Sequence, residues 1–102
     1  MQSKRKHCAS MDEVRAEIDA LDRQIVALLA DRLHYIDEAA RLKRSRDTVR
    51  DEARIDDVLA KVKAEAGRLG ADSEVIAKAY AALIEASIAH EFATFDRLRK
   101  GG

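Results

Sequence analysis

From Val14 to Ala39 the chain keeps a helical apolar period with no breaker. Val14, Ile18, Leu21, Ile25, Leu28, Leu29, Tyr35, Ile36 and Ala39 are spaced as neighbours on one helix face. The 102 residues contain no proline, so the segment is expected to run unbroken to about Lys43. At about 1.5 Å per residue, that rod is roughly 50 Å long. Two shorter helices of the same chain cannot cover it, and a bare apolar band of that extent marks an interface. The sequence therefore predicts an all-α fold, a three-helix chain with a long N-terminal helix, built as a homodimer.

The remaining punctuation agrees with three helices. "SMDE", residues 10 to 13, fits a capping box, with Ser10 as N-cap and Glu13 reaching back to it. Residues 1–9 carry no apolar period and are expected to form a loose tail, leaving residues 10–100 as one helical domain. "RSRDTVRDE" is polar and aperiodic, which places a short loop near residues 45–50 and the start of a second helix near Asp51. Its stripe is Ile55, Val58, Leu59 and Val62. Gly67 and Gly70 mark a turn, with Asp72 or Ser73 as the next N-cap. The third helix is expected to bury Val75, Ile76, Ala79, Tyr80, Leu83, Ile84, Ile88, Phe92 and Phe95 and to end near Arg99.

Charge narrows the function classes. Lys plus Arg number 19 and Asp plus Glu also 19, so no global field draws the chain to nucleic acid or an anionic membrane. Any cationic chemistry is local. The single cysteine, Cys8, makes no internal disulfide and suits a reducing cytoplasm. No apolar run approaches the length of about 20 residues that spans a bilayer, and no signal-peptide core follows the basic start. The chain reads as soluble and cytoplasmic. His7, His34, His90 and Cys8 lack metal-ligand spacing and are expected to face solvent. There is no glycine-rich phosphate loop and no Ser-His-Asp order.

Polar residues interrupt the apolar stripes at particular places. Arg32 and Lys43, 11 residues apart, return to within about 20° of each other on a helix and lie roughly 16 Å apart along its axis, room for one small anion. Arg15 lies roughly 25 Å up the same rod from Arg32, too far to join that site in cis. An antiparallel partner helix could deliver it in trans. On helix three, Ser87 and Glu91 stand at i and i+4 in line with the apolar face, and Arg54, in the first turn of helix two, could close the pocket. Taken singly, each of these cations reads as a stem laid over apolar surface with its charge in water. Glu91 alone reads as a boundary residue paired with a nearby lysine or arginine. Their convergence points to a small-anion pocket, because several buried unpaired charges are costly without an anionic ligand.

"VRAEIDALDRQIVALLADR", then "ARLK", "VRDEARI" and "LIEASIAHE" resemble the AroQ-type chorismate mutase family over about residues 11–98. The resemblance implies an intertwined all-helical homodimer with two active sites lined by both chains, no cofactor and no metal. It implies that Arg15 is donated across the dimer, that Arg32 holds a substrate carboxylate and that Lys43 stands at the ether oxygen. Arg54 matches the arginine that opens helix two, with Asp51 at the start of that helix also substrate-binding. Ser87 matches a pocket serine, and Glu91 falls where many members have glutamine as second donor to the ether oxygen. Lys43, Glu91 and Arg32 are thus the implied catalytic residues.

Ile55 departs from the family pattern. Typical mutases carry there a glutamate that binds the ring hydroxyl of chorismate. An apolar residue at that place, the shortened loop after the lysine, and the spacing of Arg32, Tyr35, Ala39 and Lys43 look closer to isochorismate pyruvate lyases, the salicylate-forming branch. The leading expectation is chorismate mutase. The alternatives are isochorismate pyruvate lyase and a catalytically inactive helical dimer with a regulatory role.

Overall fold

The computed structural model describes residues 5–100, and they form an all-α chain: α1 (Met11–Leu42), α2 (Glu52–Arg68) and α3 (Ser73–Lys100), with a 3-10 turn, Arg46–Thr48, between α1 and α2. Among the described residues there is no strand, and no helix is long and apolar enough to cross a membrane.

Each helix end has a local cause. The Glu13 amide donates to Ser10 Oγ at 3.2 Å, as a capping box requires, but the Glu13 carboxylate takes the Ala9 amide at 2.9 Å, one residue earlier than the motif predicts. Asp51 caps α2 by accepting the Arg54 amide at 3.1 Å. At the other end of α2, Ala71 N donates to the Ala66 carbonyl at 2.8 Å and Gly70 N to the Gly67 carbonyl at 3.1 Å. Gly70 stands at φ 72°, the left-handed conformation that closes a helix in a Schellman turn. Asp72 is the N-cap of α3, accepting the Glu74 and Val75 amides at 3.0 and 3.3 Å.

The chain divides into two units after Arg32. The first holds the N-terminal stretch of α1. Its apolar stripe is real but uncovered: Ile18, Leu21, Ile25 and Leu28 are 49 to 67% exposed. Ahead of the helix, Lys6 Nζ pairs with Glu17 at 3.3 Å. Of the tail expected at residues 1–9, residues 1–4 lie outside the described residues.

The second unit, from Leu33 onward, contains the end of α1, the connection, and the α2–α3 hairpin, in which α2 packs along α3. Its core is Ala40, Val49 and Phe95, with Ile88 and Phe92 against them. Two expectations for α3 fail here. Val75 is 60% exposed and Ala79 is also exposed. The buried seam is instead Ala77, Ile84, Ser87, Glu91 and Thr94, in steps of seven, three, four and three, with Phe95 beside Thr94 and four residues from Glu91. Residues 75 and 79 each lie two positions from Ala77, which is about 200° around the helix. The seam was hard to see because three of its positions are polar.

One of them, Thr94, ties α3 to α1. Its Oγ1 donates to Asp37 Oδ1 at 2.9 Å, and His90 Nε2 lies 2.7 Å from the same oxygen. The Thr94 hydroxyl first, then the His90 hydrogen bond and charge, hold the Asp37 carboxyl below its ordinary 3.8, against the opposing effect of burial.

Two tests follow from these local causes. A Cβ at either Gly67 or Gly70 meets nothing within 4 Å, so only backbone preference decides the outcome. Gly70→Ala forces a left-handed L-residue and is expected to cost about 1 to 2 kcal/mol, a Tm loss of several degrees. Gly67→Ala, inside α2, is expected to gain up to about 1 kcal/mol, and thermal melts at matched concentration read both. Asp37 is the second test. A depressed carboxyl contributes stability above its unfolded value that is lost as pH falls through its folded value. Asp37→Asn should therefore destabilise the chain at pH 5 to 7 and cost little near pH 2, as urea titrations at the two pH values will show.

Candidate active site

Lys43 is the first residue past α1, its amide bonded to the Ala39 carbonyl at 3.0 Å. Its side chain turns to α3. Nζ donates to Glu91 Oε2 at 2.6 Å and to the Val49 carbonyl at 3.2 Å. Glu91 is 4% exposed, and a carboxyl so far from water needs a cation and hydrogen bonds to remain charged. Ser87 lies one turn earlier on the same seam, 3% exposed, with its Oγ donating to the Leu83 carbonyl at 2.8 Å. Lys43, Glu91 and Ser87 are the predicted site residues that the second unit gathers.

Asp51, Arg54 and Ile55 belong to the same unit, at the start of α2. Asp51 spends one carboxylate oxygen capping α2. Arg54 is exposed and pairs with Asp57 one turn on, at 2.7 Å. Lys61 first, then Arg54, holds the Asp57 carboxyl below its ordinary value. Ile55 is half-buried. Arg15, exposed, and Arg32, half-buried, belong to the first unit.

Sequence reasoning missed how firmly the connection after Lys43 is tied to α3. Arg46 lies over the Phe92 ring at 4.5 Å and donates to Asp96 at 3.0 Å. Arg50 forks onto both Glu85 oxygens at 2.9 Å, which holds the Glu85 carboxyl below its usual range. Arg99 lies 3.9 Å over the Phe95 ring and donates to the carbonyls of Ala40 and Lys43. Only the arginine count of "RSRDTVR" and of the α3 end hinted at this, and no periodicity marks the partners.

The arrangement suits electrostatic work on a small anion: an ammonium held in place by a buried carboxylate. A separate open cleft of about 240 Å³ lies at the α2–α3 turn, lined by Val62, Ala66, Leu69, Ala71, Ile76 and Tyr80 with Glu65. Its walls bring no cation to a dianion. Among the described residues no three His, Cys, Asp or Glu side chains gather closely enough to hold a metal ion. His7 and His34 are exposed, and His90 stands against Asp37.

Comparison with known proteins adds an independent finding. No individual curated protein matches the chain significantly. The chorismate mutase type II family profile matches residues 14–92, a span that contains all of the predicted site residues from Arg15 to Glu91. With more than half of its length matched, the chain belongs to the chorismate mutase type II family.

Proposed function

We propose that the chain converts chorismate to prephenate, without cofactor, in a site that a second copy of the chain completes. The observation that carries this reading is Lys43, whose ammonium is held on buried Glu91 at 2.6 Å. In the rearrangement one ether C–O bond breaks as one C–C bond forms, and no proton has to move. The work left to protein is shape and charge. Lys43 Nζ stabilises the negative charge that grows on the ether oxygen. Arg32, with Arg15 from the partner copy, grips the two carboxylates in the compact conformer, and Ser87, Asp51 and Arg54 border the substrate. Orientation alone can lower such a barrier by about 7 to 11 kcal/mol. Delivery of Arg15 in trans is supported by its separation of 17 residues from Arg32 and by the exposed Ile18, Leu21, Ile25 and Leu28 face, which a second copy would cover. The lone cysteine is in keeping with a cytoplasmic enzyme.

Half-buried Ile55 favours a second reading, elimination of pyruvate from isochorismate to give salicylate. A ring hydroxyl facing an isoleucine loses its hydrogen bond, at about 1 to 3 kcal/mol, and the two substrates place that hydroxyl differently. The lyase uses the same folded side chain and the same cation at the ether oxygen.

The test measures loss of chorismate absorbance in parallel with salicylate fluorescence from isochorismate. Turnover of chorismate is expected, falling at least about 100-fold in Lys43→Ala. Salicylate as the main product would move the assignment to the lyase, and consumption of neither substrate would leave an inactive helical dimer. Arg15→Ala and Lys43→Ala homodimers should each be nearly inactive while mixed dimers recover up to one good site. Verified heterodimers that recover nothing would overturn the trans assignment.

Glu91 has two possible roles that pH separates. As the partner of Lys43 it leaves turnover intact at high pH, and Glu91→Gln gains nothing there. This is the expected outcome, given the direct pair. As a protonated donor to the ether oxygen it would make turnover rise toward acid, and the glutamine variant would flatten that rise and gain activity near pH 8. Turnover measured from about pH 5 to 9 for both proteins decides.

A further inference from the structure

α3 holds Lys43 at both ends. Glu91 takes the ammonium at 2.6 Å. Arg99, about two turns further along the same helix, takes the backbone: Nη1 donates to the Ala40 carbonyl at 3.1 Å and Nη2 to the carbonyl of Lys43 itself. The end of a helix is where carbonyls lack partners within the helix, and where its dipole favours a cation. Arg99 is not placed there by solvent. Its guanidinium carbon lies 3.9 Å above the Phe95 ring, and Phe95 is buried with Ala40 and Val49 in the core of the unit.

We propose that Arg99 is a positioning residue for Lys43, fixing the backbone from which the lysine side chain springs so that its ammonium stays where Glu91 and the Val49 carbonyl receive it. The catalytic consequence rests on the reading of Lys43 given above. The geometric claim does not. Two carbonyls three residues apart need a fork of donors, which a guanidinium has and an ammonium lacks. Arg99 touches no reacting atom in this scheme, so its loss acts through where Lys43 stands.

The experiment uses the full chain with Arg99→Ala, Arg99→Lys and, as a control, Arg68→Ala, which removes an ion pair to Glu65 on α2. Two readouts are taken: kcat and KM with chorismate and isochorismate, and the NMR signal of the Lys43 side-chain ammonium, assigned by its absence in Lys43→Ala. Arg99→Ala is expected to lower kcat by about 10- to 100-fold, the scale of a displacement near 1 Å, with KM nearly unchanged. Its Lys43 signal should collapse into that of the solvent-exposed lysines. Arg99→Lys should recover part of both, and Arg68→Ala should change neither. An unmoved Lys43 signal with unmoved kcat in Arg99→Ala overturns the proposal, as does a loss confined to KM or an equal loss in Arg68→Ala. If Arg99→Ala does not fold, Arg99→Lys must show the same pattern to a smaller degree, and its absence is equally decisive. If the wild-type chain turns over neither substrate, the proposed function fails, while the Lys43 signal alone still judges the positioning.

Discussion

Glu91 puts a carboxylate in the buried seam of α3 with 4% of its surface left to water, and the arrangement around it follows from that burden. Lys43 is the cation that makes it tolerable. Removing one member of such a buried pair typically costs about 3 to 5 kcal/mol, whereas apolar residues in place of both are often neutral or stabilising. Stability therefore does not explain the pair. Ser87 and Thr94 take two more seam positions that leucine or alanine could fill. A seam that gives three positions to polar side chains, beside a lysine still 28% exposed, trades packing for a charged surface open at one end. That trade is expected at sites that do chemistry.

A lysine is a poor anchor by itself, with a long stem and a compact charge. Its precision has to come from the backbone beneath it. Here the connection from Lys43 to Arg50 is short and polar, and it is held to α3 by arginines rather than by a broad apolar surface. Val49 alone plugs into the core, while Arg46 and Arg50 hold Asp96 and Glu85. Exposed ion pairs contribute only about 0 to 1 kcal/mol each. Their value is register: planar forks and rings tolerate few alternative geometries, so the connection has few places to sit.

What the sequence showed and hid divides along contact range. The Ser10 cap, the start of α2 near Asp51, the glycine turn and the α1 stripe are all written within a few residues, and helix physics reads them directly. Lys43, Ser87 and Glu91 were legible as polar breaks in apolar faces, and the Glu91 alternative of a nearby cationic partner became specific once Lys43 was found on it. By contrast, Asp37 with Thr94, Arg99 with Lys43 and Arg46 with Asp96 join residues 50 or more positions apart. No local period carries such pairs. Val49 was hidden for a related reason, as one apolar residue inside a polar run has no stripe to belong to. Val75 and Ala79 misled because greasy residues suggested a face that the polar seam residues did not share.

Most of the charges around the pair are already matched within the second unit. Lys43 has Glu91, Arg54 has Asp57, Arg50 has Glu85 and Glu52, and Arg46 has Asp96. Each of these cations already faces an acid, while Arg99 rests on the backbone carbonyls of Ala40 and Lys43. A dicarboxylate brings two negative charges and must meet a comparable excess of positive charge to leave water. The proposed site draws that excess from α1, from Arg32 and from the Arg15 of a second copy. Overall neutrality, with 19 cationic and 19 acidic residues, is consistent with this local solution, because attraction concentrated in a cleft does not require a charged protein. In the proposed dimer, association and substrate binding would be one requirement, because a second copy laid over the exposed Ile18, Leu21, Ile25 and Leu28 face would also carry the Arg15 that the site calls for.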